Sequence, residues 1–130
     1  MADYRVFVTD HNIRPQGLEL LKAHGAKLTV LQAYSPPEPV LKAAADVDAI
    51  FARVAQITAD VVRASPNLKI VSRHGVGYDN VDVDTCTRLG IVVTISGDAN
   101  SDAVSEYAFT NLMAVARKLT LANAEVKSGI

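Results

Sequence analysis

The chain has 130 residues, enough for one domain with a packed core. Hydrophobic residues make up 49 % and charged residues 21 %, a globular composition without any apolar run long enough to span a bilayer. A formal net charge of −1 gives no electrostatic case for nucleic acid or an anionic membrane, and the absence of Trp weakens any base-stacking reading.

Arg5-Val6-Phe7-Val8-Thr9, β-branched and aromatic, predicts a first strand, and Asp10-His11-Asn12 follow as turn residues. Pro15 suits a helix first turn, with Leu18, Leu20 and Leu21 as its apolar face and His24-Gly25 as its end. Lys27–Leu31 reads as the second strand. Ser35-Pro36-Pro37-Glu38-Pro39 reads as a loop entering a helix that carries Val40, Leu41 and Ala44. Val47–Ala52 is a short third strand ending at Arg53, and Thr58 caps a short helix through Ala64 that Pro66 and Asn67 break. A central apolar strand from Lys69 passes through Arg73 into a loop punctuated by Gly75 and Gly77. Asp82 caps the next helix, which Gly90 stops, and Ile91–Ile95 is the fifth strand.

Strand and helix alternate five times, a pattern that predicts an α/β fold: a parallel sheet with helices on both faces, flavodoxin-like given right-handed crossovers. A long C-terminal helix is expected from Asn100 or Ser101, either of which can cap it, to the first clear stop at Ser128-Gly129. Its apolar residues, among them Val104, Tyr107, Phe109, Leu112, Met113 and Leu119, go beyond one stripe. A helix apolar on most sides is buried on most sides, so a partner is expected: another domain, another subunit, or both.

The Gly75–Gly77 loop follows an apolar strand and precedes a helix, where open α/β sheets place ligands. Its glycines let backbone N–H groups approach an anion, and the expected use is a carboxylate held on Val76 and Gly77. An ordinary tight turn explains the same residues equally well. A dinucleotide fingerprint does not, because Asn80 stands where G-x-G-x-x-G needs a small third residue.

Arg53 and Arg73 end predicted strands beside this loop and suit an anionic substrate; the plainer alternative is surface arginines paired with Asp48 or Asp79. His74 adjoins the loop, though a lone histidine is more often structural. Asp79 and Asp82 are explained by turn and cap roles rather than acid–base work, and Glu106 is favoured by the dipole of its helix. No metal-ligand spacing, G-x-S-x-G elbow or P-loop occurs. Arg53 stands where a phosphoacceptor receiver needs aspartate, and Asp10–Arg14 is not a flavin phosphate loop. The single Cys86 and a start, Met1–Arg5, unlike a signal peptide fit a reducing, cytoplasmic setting.

The ordered set Arg73-His74-Gly75-Val76-Gly77-Tyr78-Asp79-Asn80-Val81-Asp82, Gly90-Ile91-Val92-Val93, Ala99-Asn100-Ser101, Val104, Glu106 and Ala116-Arg117 resembles the amino-terminal third of D-isomer-specific 2-hydroxyacid dehydrogenases. The phosphoglycerate dehydrogenase and glyoxylate/hydroxypyruvate reductase branch is nearest, and Arg53–Thr58 resembles its arginine-containing loop. Tyr107 departs from the histidine of many members.

The resemblance implies a substrate-binding domain over residues 1–100, incomplete, and a 101–130 helix leading into an absent Rossmann domain that would bind NAD or NADP. It implies a homodimer through the 101–129 helix and a small 2-keto or 2-hydroxy acid as substrate. It places the carboxylate on Val76 and Gly77 within the Gly75 loop, the nicotinamide side of the site at Val76, a second anion on Arg53 and Arg73, and the interdomain cleft at Asn100 and Ser101. The polarising arginine, glutamate and general-acid histidine would lie beyond Ile130, so no catalytic residue is expected within the chain, which alone should not transfer hydride. The alternative is a free-standing truncated homologue, a non-enzymatic module that dimerises or binds carboxylates.

Overall fold

A computed structural model describes residues 3–129; Met1 and Ala2 of the expected amino terminus and Ile130, the last residue of the expected 101–130 helix, lie outside the described residues. The chain divides into two compact units, with the boundary between Gly97 and Asp98.

The first unit alternates β1 (Tyr4–Val8), α1 (Pro15–Ala23), β2 (Ala26–Val30), α2 (Pro37–Ala44), β3 (Ala49–Ala52), α3 (Ala59–Arg63), β4 (Ile70–Arg73), α4 (Val83–Arg88) and β5 (Val92–Ile95). The strands form one parallel sheet in the order β2-β1-β3-β4-β5, the flavodoxin-like order. Local chemistry sets the boundaries. Pro15 and Pro37 open their helices, where a missing N–H costs nothing. Thr58 Oγ1 accepts the Val61 amide and Asp82 Oδ1 accepts the Thr85 amide, caps worth about 1 kcal/mol each.

The two faces of the sheet are unequal. Phe7, Ile50 and Val71 lie side by side in register and are fully enclosed. Val40 and Ala44 of α2, Val61 and Val62 of α3 and Cys86 of α4 complete that core. At roughly 1.5–3 kcal/mol for each large apolar side chain, this face dominates the stability of the unit. The opposite face carries the register set Val6, Ala49, Ile70 and Val92. Within the first unit α1 lies beside it, and α1 has no buried residue. Val6, Leu20, Leu21, Ala49, Phe51 and Ile70 line a groove of about 620 Å³ there, and Val92 is left half exposed.

The second unit corrects the expectation of one long helix. It holds two helices, α5 (Ser101–Ala116) and α6 (Leu119–Ser128), separated at Lys118, which takes a left-handed conformation (φ 48°, ψ 41°). The Arg117 amide donates to the Met113 carbonyl and the Lys118 amide to that of Val115, closing the turn without glycine or proline. A non-glycine residue pays roughly 1–2 kcal/mol for this conformation. In return Leu119 turns back to line one groove with Phe109 and Met113. Asn100 occupies the N-cap position of α5, but neither its side chain nor another makes the expected capping bond. No residue of α5 or α6 is buried. No helix among the described residues is long and apolar enough to cross a membrane.

Candidate functional site

Parallel strands put all their carboxyl ends at one edge. Thr9 and Asp10 after β1, Arg53 after β3, and Arg73 with the loop after β4 therefore converge. Gly75 has a positive φ of +139°, and a Cβ there would stand 2.5 Å from Arg73 Nη1, so only glycine fits without moving that guanidinium. The Gly75 carbonyl accepts the Ser96 amide and the Tyr78 carbonyl accepts the Val81 amide, fixing both ends of the loop. Between them, among the described residues, the amides of Val76 and Gly77 donate to no protein acceptor, and both residues are exposed. Unpaired N–H groups in a fixed turn are a ready place for an anion.

Neither arginine has the partner considered from the sequence. Arg53 Nη1 donates to Asp10 Oδ2 at 2.6 Å, not to Asp48 or Asp79. Asp48 instead accepts the Arg5 amide. The Asp10 side chain is wholly buried and its other oxygen accepts the Asn12 amide at 2.8 Å. Burial pushes the Asp10 carboxyl up, but the Asn12 amide and the Arg53 guanidinium together outweigh it and hold the group below its ordinary 3.8. The Arg53 main chain is held too, its amide donating to Thr9 Oγ1 at 2.9 Å.

Arg73 donates through Nε to Asn80 Oδ1 and through Nη1 to the His74 carbonyl, both neutral acceptors, and among the described residues no carboxylate pairs with it. Asn80 joins the two arginine loops. Its Nδ2 donates to the carbonyls of Ala55 (2.8 Å) and Arg53 (3.2 Å), and an isolated parallel bridge pairs Ile57 with Val81 beside it. Asp10 and Asn80 are the functional candidates that turn propensity concealed. The available signals were a carboxylate just past the end of the first strand and an amide where a fingerprint glycine belongs.

His74 is structural here: its amide donates to the Ala52 carbonyl, and its ring meets Phe51 edge-on at 5.7 Å. Asp82 is a helix cap, held below its ordinary pKa first by the Thr85 amide. Among the expected site residues, Arg53, Arg73, Gly75, Val76 and Gly77 share the carboxyl edge of the first unit, whereas Asn100 and Ser101 belong to the second. Among the described residues no cluster of His, Cys, Asp and Glu could hold a metal ion.

Fold and edge together define an open α/β domain that presents two unpartnered loop amides and two arginines where such sheets receive ligands. The family described as D-isomer specific 2-hydroxyacid dehydrogenase, catalytic domain, matches residues 6–130. A glyoxylate reductase from Thermococcus kodakarensis is 39 % identical over 127 residues, covering 96 % of this chain and 38 % of that protein. A D-3-phosphoglycerate dehydrogenase from a Synechocystis species is 39 % identical over 124 residues, covering 95 % of this chain and 22 % of that protein. In structure, the TT0316 protein of Thermus thermophilus superposes with a TM-score of 0.84 at 27 % identity, over 96 % of this chain and 40 % of the other. The chain belongs to the D-isomer-specific 2-hydroxyacid dehydrogenase family, and it spans less than two fifths of the length of these two curated relatives.

Proposed function

We propose that this chain is the substrate-binding portion of a nicotinamide-dependent oxidoreductase that interconverts 2-hydroxy acids and 2-keto acids by hydride transfer. The observation that carries the reading is the pair of unpartnered amides at Val76 and Gly77, set in a family whose relatives are glyoxylate reductases and a phosphoglycerate dehydrogenase. The substrate carboxylate accepts both N–H groups. Arg73, which no carboxylate among the described residues pairs with, and Arg53 favour a second anionic group beside it. Asn100 and Ser101, in the second unit, are proposed as further substrate-binding residues.

The residues present do not fit a dinucleotide. The only G-x-G runs into Asn80, whose side chain is committed to the Arg53 and Ala55 carbonyls. The next helix, α4, begins under the carboxylate of Asp82, which repels a pyrophosphate. NAD or NADP is then held by polypeptide outside this segment, with Val76, half exposed, offering an apolar edge to the nicotinamide. The part these residues play is to bind and orient the acid, and no catalytic residue is assigned among them. The open apolar groove beside α1 supports the reading of an incomplete substrate-binding domain.

Titrating the 130-residue chain with oxalate while recording amide resonances tests the carboxylate site. The largest shifts are expected at Val76 and Gly77; a saturating response centred elsewhere, or none, removes the reading. The second reading, a non-enzymatic module that dimerises, draws on the uncovered apolar residues of α5, including Tyr107, Phe109 and Leu112. Reduction of glyoxylate by the full-length polypeptide with NADH or NADPH decides for the enzyme, and its absence for the module.

A further inference from the structure

A carboxylate shut away from water at the carboxyl edge of a ligand-binding sheet needs a reason, because burying it is unfavourable unless it is paired. Asp10 is such a group. Its side chain is fully enclosed, and its two oxygens each have one hydrogen-bond donor, the Arg53 guanidinium and the Asn12 amide. His11 Nδ1 lies 3.7 Å away, beyond hydrogen-bonding distance.

Seen from Arg53, the pair is one-sided. Asp10 takes Nη1, and among the described residues no other acceptor engages the remaining guanidinium N–H groups. About a third of the Arg53 side chain stays open to solvent. The backbone of Arg53 is fixed on both sides, its amide to Thr9 Oγ1 and its carbonyl to Asn80 Nδ2. An arginine side chain is otherwise free to adopt many rotamers, and ordering it on ligand binding weakens that binding. Here the ordering is already done by the fold.

We infer that Asp10 is a positioning residue: it grips Arg53 through one nitrogen and so holds the remaining N–H donors at the carboxyl edge for a second anionic group on the acid. The inference rests on the substrate-binding reading above, including its second anionic group at Arg53, and adds to it the residue that holds Arg53 in place for that group. Because the Asp10–Arg53 pair is close to neutral, the preference for that group comes from directed hydrogen bonds more than from net charge.

The test is steady-state kinetics on the full-length polypeptide with two substrates, glyoxylate and a three-carbon 2-keto acid with a terminal phosphate. Wild type should favour the phosphorylated acid by KM. Asp10→Asn should lower that preference about tenfold, the scale of one charge-assisted hydrogen bond. In an Arg53→Gln background the same change should do nothing further, because Asp10 acts only through Arg53. A merely structural role predicts the reverse: KM rising alike for both acids, or an effect that survives in the Arg53→Gln background, and either result overturns the inference. If Asp10→Asn does not fold, Asp10→Glu keeps the charge on a longer arm and displaces the guanidinium; an unchanged preference in that variant also overturns it. A wild type that reduces both acids without preference overturns this inference and the second-anion role of the arginines, and leaves the hydride-transfer reading standing. A wild type inactive on both removes the proposed function and this inference with it.

Discussion

Asn80 Nδ2 stands 2.8 Å from the Ala55 carbonyl, and through that bond the loop after β4 is fastened to the loop after β3, 25 residues earlier. The same amide reaches the Arg53 carbonyl, and its oxygen accepts Arg73 Nε. One side chain therefore sets the spacing of both arginines. Asn80→Asp keeps the shape but turns both donated bonds into oxygen facing oxygen. A loss of about 2–4 kcal/mol is expected in urea denaturation, from two half-buried carbonyls left unsatisfied. An unchanged midpoint would mean that the two loops hold without it.

Gly75 offers a test of Arg73 that leaves the arginine in place. Gly75→Ala adds a Cβ 2.5 Å from Arg73 Nη1 at a backbone angle that disfavours side chains. The guanidinium must move, because it is the flexible partner. Oxalate binding to the chain should weaken severalfold, with a stability loss of about 1–3 kcal/mol. Gly90→Ala is the control: φ is +69° there as well, but nothing lies within 4 Å, so it should cost stability and leave oxalate binding alone.

Asp10 makes stability depend on pH with a definite sign. Its folded pKa lies below 3.8, so the stability it contributes is complete above the unfolded value and is lost as pH falls through the folded one. Asp82 acts in the same direction. The urea midpoint should be nearly flat from about pH 7 to pH 5 and drop below about pH 4. Asp10→Asn should start lower and drop less steeply; equal steepness would mean that other carboxylates carry the acid sensitivity.

The second unit makes a prediction about size. Phe109 and Leu112 are 69 % and 62 % exposed. If copies pair through α5, Phe109→Asp should convert a dimer to a monomer in sizing chromatography with almost no change in the melting temperature of the first unit. A wild-type chain that elutes as a monomer at high concentration rules out the pairing.

How much of this was legible depended on range. Thr58, Asp82 and Gly90 announced their roles because caps and stops are decided within about four residues. The parallel α/β class followed from alternation and handedness, whereas the strand order β2-β1-β3-β4-β5 needed the structure. Arg53 could be placed at a strand end, yet its partner was sought in Asp48 or Asp79, while the actual one, Asp10, is 43 residues away. Asn80 reads as a turn residue until the two loops are seen together. Lys118 carried no signal at all, since the break is stabilised by Leu119 folding back rather than by any breaker at the turn.

Cys86 is fully enclosed in α4, on the well-packed face of the sheet, and it is the only cysteine in the chain. Burial, helped by the charge of Asp82, raises its pKa, so it stays a protonated thiol and is doubly shielded from disulfide reagents. The first unit thus carries its own clock. The rate at which the thiol is trapped reports how often α4 lifts from the sheet. Since α4 is tied through Asp82 to the end of the Gly75–Asn80 loop, an acid that binds that loop as proposed should slow the clock without any label having been added.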